Sequence, residues 1–307
     1  MSYHIVNIDT PEAYITCRHG QLVCDDGCGK TKQLPLEDVC AIIITSFSST
    51  VHSRLLKEAA KLGVSIIFCE NFKPQSILMP ANRITDTVLA KSFIEIPRYE
   101  IESYWDKTID AKCYNQLAVA SLIAPASQKL ENIKIVCQRK TALKESQCAR
   151  YYWEIFGEGI RREGFSRGDD SFSENKLLDF SYTVLSAIVM QKLFGYGLDA
   201  SYGIAHSVRE RSAPLAYDLM EPFRPYIDYC VFRWIEQNAL LEDDVCVDRQ
   251  FKRFLMDGII RKVPYIGKQI EFKTAIDESI RSFRSAVKRK DITLYNPWTL
   301  KNSKWVG

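Results

Sequence analysis

The stretch Glu174-Asn-Lys-Leu-Leu-Asp-Phe-Ser-Tyr-Thr-Val-Leu-Ser-Ala-Ile-Val-Met-Gln-Lys-Leu193 decides how this chain is put together. Its apolar residues recur at spacings of three and four, the period of a helix. From Phe180 to Gln191 it carries no charge. A helix without a charged face offers little to water, so it belongs at the centre of a domain. Residues 102–123, 138–156 and 216–237 show the same period, and from about Asp86 almost to the end the chain reads as all-α. Upstream the period changes. Residues 13–16 and 21–24 flank the turn Arg18-His19-Gly20, and Asp25-Asp26-Gly27 supplies a second turn. The run Val39-Cys-Ala-Ile-Ile-Ile-Thr45 is apolar and β-branched, as a buried strand requires. Ser49-Thr50 can cap a helix over 51–62, with Leu55, Leu56, Ala59 and Leu62 on one face and Gly63 as its stop. Residues 64–69 return to strand, and 77–79 form one more before Pro80.

The expected architecture is therefore α+β and multidomain. Residues 1–82 form a mostly β, sandwich-like domain with one helix, and residues 83–307 form an all-α domain. The length of 307 residues agrees with two domains of ~150. With 46% apolar residues, global disorder is excluded. Lys and Arg number 41 against 38 Asp and Glu, so a net charge of +3 neither demands nor excludes a nucleic-acid partner. The longest uncharged stretch, Cys113 to Gln128, is shorter than the ~18 residues of a membrane span. No secretion signal is expected from Met1-Ser-Tyr-His-Ile, and ten scattered cysteines suit reduced thiols, which points to the cytoplasm.

Of four histidines, His4, His19 and His52 lie among strands or at a helix start and suit structural or surface roles. His206, in Tyr202-Gly-Ile-Ala-His-Ser207, falls between two expected helices. It is followed by Asp218-Leu-Met-Glu-Pro-Phe-Arg-Pro225, where the prolines place Asp218 and Glu221 at or just before a helix start. Acids there are commonly caps, but with His206 they suggest a carboxylate–imidazole metal site. Glu145 shares one helical face with Ala149, Tyr152 and Phe156. A Glu on an apolar stripe needs a cation, a proton or a metal, or an ordinary salt bridge to Arg150. Cys17, His19, Cys24 and Cys28 lack the CxxC spacing of a zinc knuckle. The chain also lacks GxSxG, GxxxxGK[ST] and GxGxxG, which argues against Ser-hydrolase, phosphate-loop and hydride chemistry. The basic residues cluster locally, at Arg139, Lys140, Lys144, Arg150, Arg161 and Arg162, with Arg209 and Arg211 after His206, and a net charge of +3 leaves any phosphate contacts to such stretches. Arg161, Arg162 and Arg167 lie in a glycine-rich segment that reads as a mobile loop. A second basic block, Arg281 to Lys290, suits either a DNA clamp or a solvated helix, and Glu242-Asp243-Asp244 reads as a solvated loop.

Four segments in order resemble the CRISPR-associated spacer-acquisition integrases (Cas protein one), most closely the versions of single-effector, type II-like systems. They are Ile66-Ile-Phe-Cys-Glu70 through Ile77-Leu-Met-Pro80; Glu145-Ser-Gln-Cys-Ala-Arg-Tyr-Tyr-Trp153; Asn175-Lys-Leu-Leu-Asp-Phe-Ser-Tyr-Thr183; and Gly203-Ile-Ala-His206 with Asp218 to Pro225. Ser146 stands where the family usually has Gly, Ala205 fills a variable slot, and Glu221 stands where many members have Asp. The resemblance implies Mn²⁺ or Mg²⁺ held by Glu145, His206 and Glu221, with Asp218 as a supporting acid. It implies that the β domain dimerises, and that two homodimers flank a dimer of a small ferredoxin-like protein, the second core adaptation protein. The implied reaction is attack of a prespacer 3′-hydroxyl on a phosphodiester at the CRISPR repeat boundary, with endonuclease activity when water is the nucleophile. A branched-DNA repair nuclease and a non-catalytic DNA-binding subunit are the alternatives.

Overall fold

The computed structural model describes residues 4–70, 73–78, 86–206, 213–238 and 245–301. Among the described residues the first part holds eight strands: β1 His4–Ile8, β2 Tyr14–Arg18, β3 Gln21–Asp25, β4 Thr31–Pro35, β5 Val39–Ile44, β6 Thr50–Val51, β7 Ser65–Glu70 and β8 Lys73–Leu78. They make two four-stranded sheets, ordered β1-β5-β7-β8 and β4-β3-β2-β6. In the first sheet β1, β5 and β7 run parallel, and α1 (Ser53–Leu62) supplies the crossover from β5 to β7. The apolar run of β5 follows from burial on both faces. Ile42 and Ile44, with Ile66 of β7, join Ile15, Leu22, Leu55 and Ala59 in one core. Ala41 and Ile43, with Ile67 and Cys69, face the other way into the core of the helical part.

The helices are α2 Thr87–Ile94, α3 Arg98–Ile123, α4 Lys129–Gln138, α5 Lys144–Ile160, α6 Glu174–Gly195, α7 Pro214–Met220, α8 Arg224–Asn238, α9 Arg249–Ile260 and α10 Phe272–Arg289. The charge-free helix α6 lies at the centre, packed against β5, β7 and β8 as well as α7, α8 and α10. By length and composition alone α6 could cross a membrane, but 78% of its apolar window is buried inside the protein, as in a core helix.

The mixed sheets followed by helices match the expected fold class, and local differences have local causes. The cap of α1 is His52, whose side chain accepts from the Arg54 amide, because Thr50-Val51 is drawn into a strand beside β2. The helix expected over 138–156 is interrupted after Gln138. Lys144 reaches back and donates to the Cys137 carbonyl at the end of α4, satisfying a terminal carbonyl there. Pro222 tightens the chain to a 3-10 turn, Glu221–Phe223, between α7 and α8. Asp218 consequently sits inside α7 rather than before a helix. The helical part also carries one hairpin, β9 Lys262–Tyr265 and β10 Lys268–Glu271. Its turn, Ile266-Gly267, has positive φ at both residues, the conformation of a type I′ turn. The junction expected at 82/83, the tip of the 77–79 strand and the run Glu242-Asp243-Asp244 lie outside the described residues.

Helices α3 and α5 approach closely at Gly159, where a Cβ would collide with Ile123 Cγ2 and stand 3.3 Å from Phe232 Cε2. Gly159→Ala should cost about 1–3 kcal/mol by overpacking, read as a Tm several degrees below wild type. Gly195→Ala, where no atom stands near the added methyl, should melt within a degree or so of wild type. Equal melting of the two variants would contradict the packing described.

Candidate metal and nucleic-acid site

Glu221 starts from an unfavourable position: its side chain is only 3% exposed. Burial alone would raise its carboxyl, but Arg224, Lys112 and His206 outweigh burial and hold it below the usual carboxylate value. The Arg224 guanidinium is 3.1 Å from Glu221 Oε1. On the other side Lys112 Nζ, from the middle of α3, is 2.7 Å from Glu221 Oε2 and 2.6 Å from Glu145 Oε1. Burial pulls the Lys112 ammonium down, and the two glutamates more than restore it. Three residues along α3, Asn115 donates to the Pro222 carbonyl at 2.6 Å and fixes the turn that carries Glu221.

Glu145 occupies the first turn of α5, with 38% of its side chain exposed. The paired acids thus have one carboxylate rooted in the core and one facing solvent. The ammonium of Lys112 is the contact that Glu221 Oε2 makes across this gap. Among the described residues no three His, Cys, Asp or Glu side chains converge as a ready cage. Where Glu145 and Glu221 meet stands Lys112.

Asp218 organises His206. Its Oδ2 accepts from the Ile204 and Ala205 amides, at 2.5 and 3.1 Å. Its Oδ1 accepts from the His206 amide at 3.3 Å and lies 2.6 Å from His206 Nδ1. A fully buried carboxylate so placed fixes both the loop and the ring. Gly203 is required for this approach, since a Cβ there would collide with the His206 carbonyl and stand 2.9 Å from Asp218 Oδ2. Trp105 of α3 meets the imidazole edge-on, with centroids 6.1 Å apart.

Behind Glu221 lies a second polar layer. Tyr182 sits between two guanidinium groups, Arg224 at 4.9 Å and Arg167 at 5.2 Å from its ring centre. Its hydroxyl donates to Asp228 at 2.5 Å, and that of Tyr152 does so at 2.9 Å. Beside Glu145 opens a groove of about 760 Å³, lined in part by Trp105, Arg139 and Lys140.

The basic residues divide unevenly. Arg139, Lys140, Arg150 and Arg161 are exposed, with Arg150 stacked over Tyr151. Lys144 is instead buried, 2.5 Å from Asp110, and serves the α4–α5 junction. The reading of 161–168 as a mobile arginine loop needs correction. Arg162 is paired with fully buried Glu174, and Arg167 with Asp179, both at 2.5 Å, which ties the segment to α6. In the second basic block Arg284 and Lys288 pair with Asp86 before α2. Arg209 and Arg211 lie outside the described residues. The sequence reading missed Lys112, Arg224, Tyr182 and Asp228. Lys112 had a signal like that of Glu145, a charge on the buried face with Thr108, Ile109 and Gln116.

A mixed sheet followed by helices, with one buried and one half-exposed carboxylate joined at the edge of a groove that Arg139 and Lys140 help to line, is an arrangement suited to the class of enzymes that process nucleic-acid phosphodiesters. The model of the family "CRISPR associated protein Cas1" matches residues 6–263, and the chain belongs to that family. It is 27% identical over 269 residues to the CRISPR-associated endonuclease Cas1 of Neisseria meningitidis serogroup C, covering 86% of each chain. Its fold is shared with a casposase bound to integration product, with a TM-score of 0.78 at 18% identity, covering 99% of this chain and 94% of that one. A chain of a Cas6-RT-Cas1–Cas2 complex gives a TM-score of 0.76 at 13% identity, covering 97% of this chain and 36% of that one.

Burial pushes the Asp228 carboxyl up from 3.8 to about 7, against the pull of Tyr182, Tyr152, Arg167 and Arg224. The folded value exceeds the unfolded one, so the native state holds an extra proton between about pH 4 and about pH 7. Stability from this group is therefore lost as pH rises through that window. Asp228→Asn cannot titrate, and the Tm difference between wild type and Asp228→Asn should move in the variant's favour from about pH 5 to about pH 8. A pH-independent difference would contradict this assignment.

Proposed function

We propose that this protein is a CRISPR-adaptation integrase and DNA endonuclease. It joins the 3′-hydroxyl of a prespacer strand to a phosphodiester at the repeat boundary of a CRISPR array. One P–O bond forms as another breaks, so the exchange needs no nucleotide cofactor, in keeping with the missing phosphate loop. With water in place of the hydroxyl, the same site cuts DNA. The observation that carries this reading is the pairing of Glu145 and Glu221 through one cation at 2.6 and 2.7 Å, with His206 near enough to help hold Glu221 ionised, in a chain of the Cas1 family.

Glu145, His206 and Glu221 are the residues that would hold Mn²⁺ or Mg²⁺. Two carboxylates supply hard oxygen donors, and the imidazole tilts the set toward Mn²⁺. The carboxylates of Glu145 and Glu221 already share one cation, the Lys112 ammonium, so their oxygens face a common point. Once bound, the metal would supply Lewis-acid stabilisation of charge on the phosphoryl oxygens. The protein's own residues do the rest. Asp218 holds the imidazole by Nδ1 and fixes the ring's orientation. Arg224 helps keep Glu221 ionised within the core. Arg139 and Lys140 can hold the phosphate backbone along the groove, which positions DNA without reading its sequence.

Residues 1–82 would form the dimerisation domain and 83–307 the catalytic domain. The Cas6-RT-Cas1–Cas2 complex supports Cas2 as a partner, which would be the small ferredoxin-like second adaptation protein, and the casposase with its integration product supports DNA. A prokaryotic cytoplasm follows from the same reading.

His206→Ala should lower strand joining by at least ~10²-fold, because the proposed site loses its imidazole ligand, and leave prespacer affinity within about twofold. Joining should follow Mn²⁺ at least as well as Mg²⁺, fail with Ca²⁺ and stop in EDTA. A gel assay of prespacer joined to a supercoiled repeat plasmid reads both. Wild-type joining by His206→Ala, or joining in EDTA, would refute the proposed role.

A further inference from the structure

Lys112 is the residue that this reaction leaves unexplained. It lies in the middle of the longest helix described, with only 10% of its side chain exposed. Its ammonium touches both glutamates at ordinary ion-pair distances. A buried lysine is costly unless its charge is matched, and here two carboxylates from separate elements match it. The converse holds for Glu221, whose burial is tolerable because Lys112 and Arg224 flank it.

The charges balance without any added ion: two carboxylates face one ammonium and one guanidinium. A divalent ion bound to both glutamates must come within about 2.0–2.2 Å of their oxygens. Lys112 Nζ already stands 2.6 and 2.7 Å from those carboxylates, so both cations cannot occupy the gap. Keeping the ammonium in contact with a divalent ion would also place like charges against each other.

We propose that Lys112 is an exchangeable counter-ion of the metal site: its ammonium holds Glu145 and Glu221 together and withdraws from between them when a divalent cation binds. This rests on the reading of those glutamates as metal ligands. The lysine keeps buried Glu221 compensated, so folding does not depend on metal, unlike sites whose metal is the folding energy. It also sets a threshold, because only an ion that outcompetes a tethered ammonium is taken up.

Mn²⁺ titration of the full-length protein, followed by the electron-paramagnetic-resonance signal of free Mn²⁺, tests this without any turnover. Lys112→Met should bind Mn²⁺ at least ~10-fold more tightly than wild type, because the competing charge is gone. In EDTA it should melt below wild type and gain more Tm from Mn²⁺. Lys112→Arg should shift affinity the other way, weakening Mn²⁺ binding by about 10-fold, since a guanidinium fork clasps two carboxylates more firmly. If Lys112→Met does not fold, the weakening in Lys112→Arg decides alone. Affinities of the folded variants equal to wild type, or Lys112→Met binding more weakly, would overturn the proposal. Glu145→Gln separates the two layers. If it loses Mn²⁺ while the lysine variants match wild type, only the counter-ion role falls. If it binds Mn²⁺ like wild type, the ligand reading falls and takes the lysine's role with it.

Discussion

A carboxylate held inside a protein dictates its surroundings, and here that carboxylate is Glu221. Burial would strip it of charge, so cations must arrive from elsewhere in the fold. Lys112 comes from α3 and Arg224 from the start of α8, and Asn115 of α3 ties down the intervening turn. Arg224 in turn lies over Tyr182, whose hydroxyl donates to Asp228. The polar layer thus runs from the Glu145 surface to the middle of α6. Breaking one pair would leave an uncompensated charge or a donor without an acceptor.

The same logic separates Asp218 from Glu221, though they lie three residues apart. Asp218 is satisfied by three consecutive amides and an imidazole, all from the segment before α7. Its contribution is to hold His206 in place. Glu221 is satisfied by cations from distant segments, Lys112 at Oε2 and Arg224 at Oε1. One acid is a strut and the other a ligand candidate. Across the proline-tightened end of α7, Asp218 engages the 204–206 segment and Glu221 engages Lys112 and Arg224.

Much of this was legible in the chain. The uncharged middle of α6 announced the centre of the helical part, and the β-branched run of β5 announced a strand covered on both faces. Glu145 declared itself by sharing a face with Tyr152 and Phe156, both fully buried. What could not be read were pairings between distant segments. Lys144 looked like a surface cation, yet it caps α4 and pairs with Asp110. Arg162 and Arg167 looked like mobile phosphate contacts, yet Glu174 and Asp179 of α6 claim them. Lys112 lies 33 positions from Glu145 in the sequence, and no local period links it to Glu145 or Glu221. Periodicity tells which side of a helix is buried; it does not tell which charge waits there.

The central claim is that Glu145, His206 and Glu221 together take one divalent cation. Crystals of the full-length protein grown with Mn²⁺ and measured for anomalous scattering test it most directly. The account predicts one strong peak bonded to a carboxylate oxygen of Glu145, one of Glu221 and a ring nitrogen of His206, with Lys112 Nζ moved out of contact with both acids. A peak that leaves either glutamate unliganded, or Lys112 still bridging the pair beside a fully occupied ion, would contradict it.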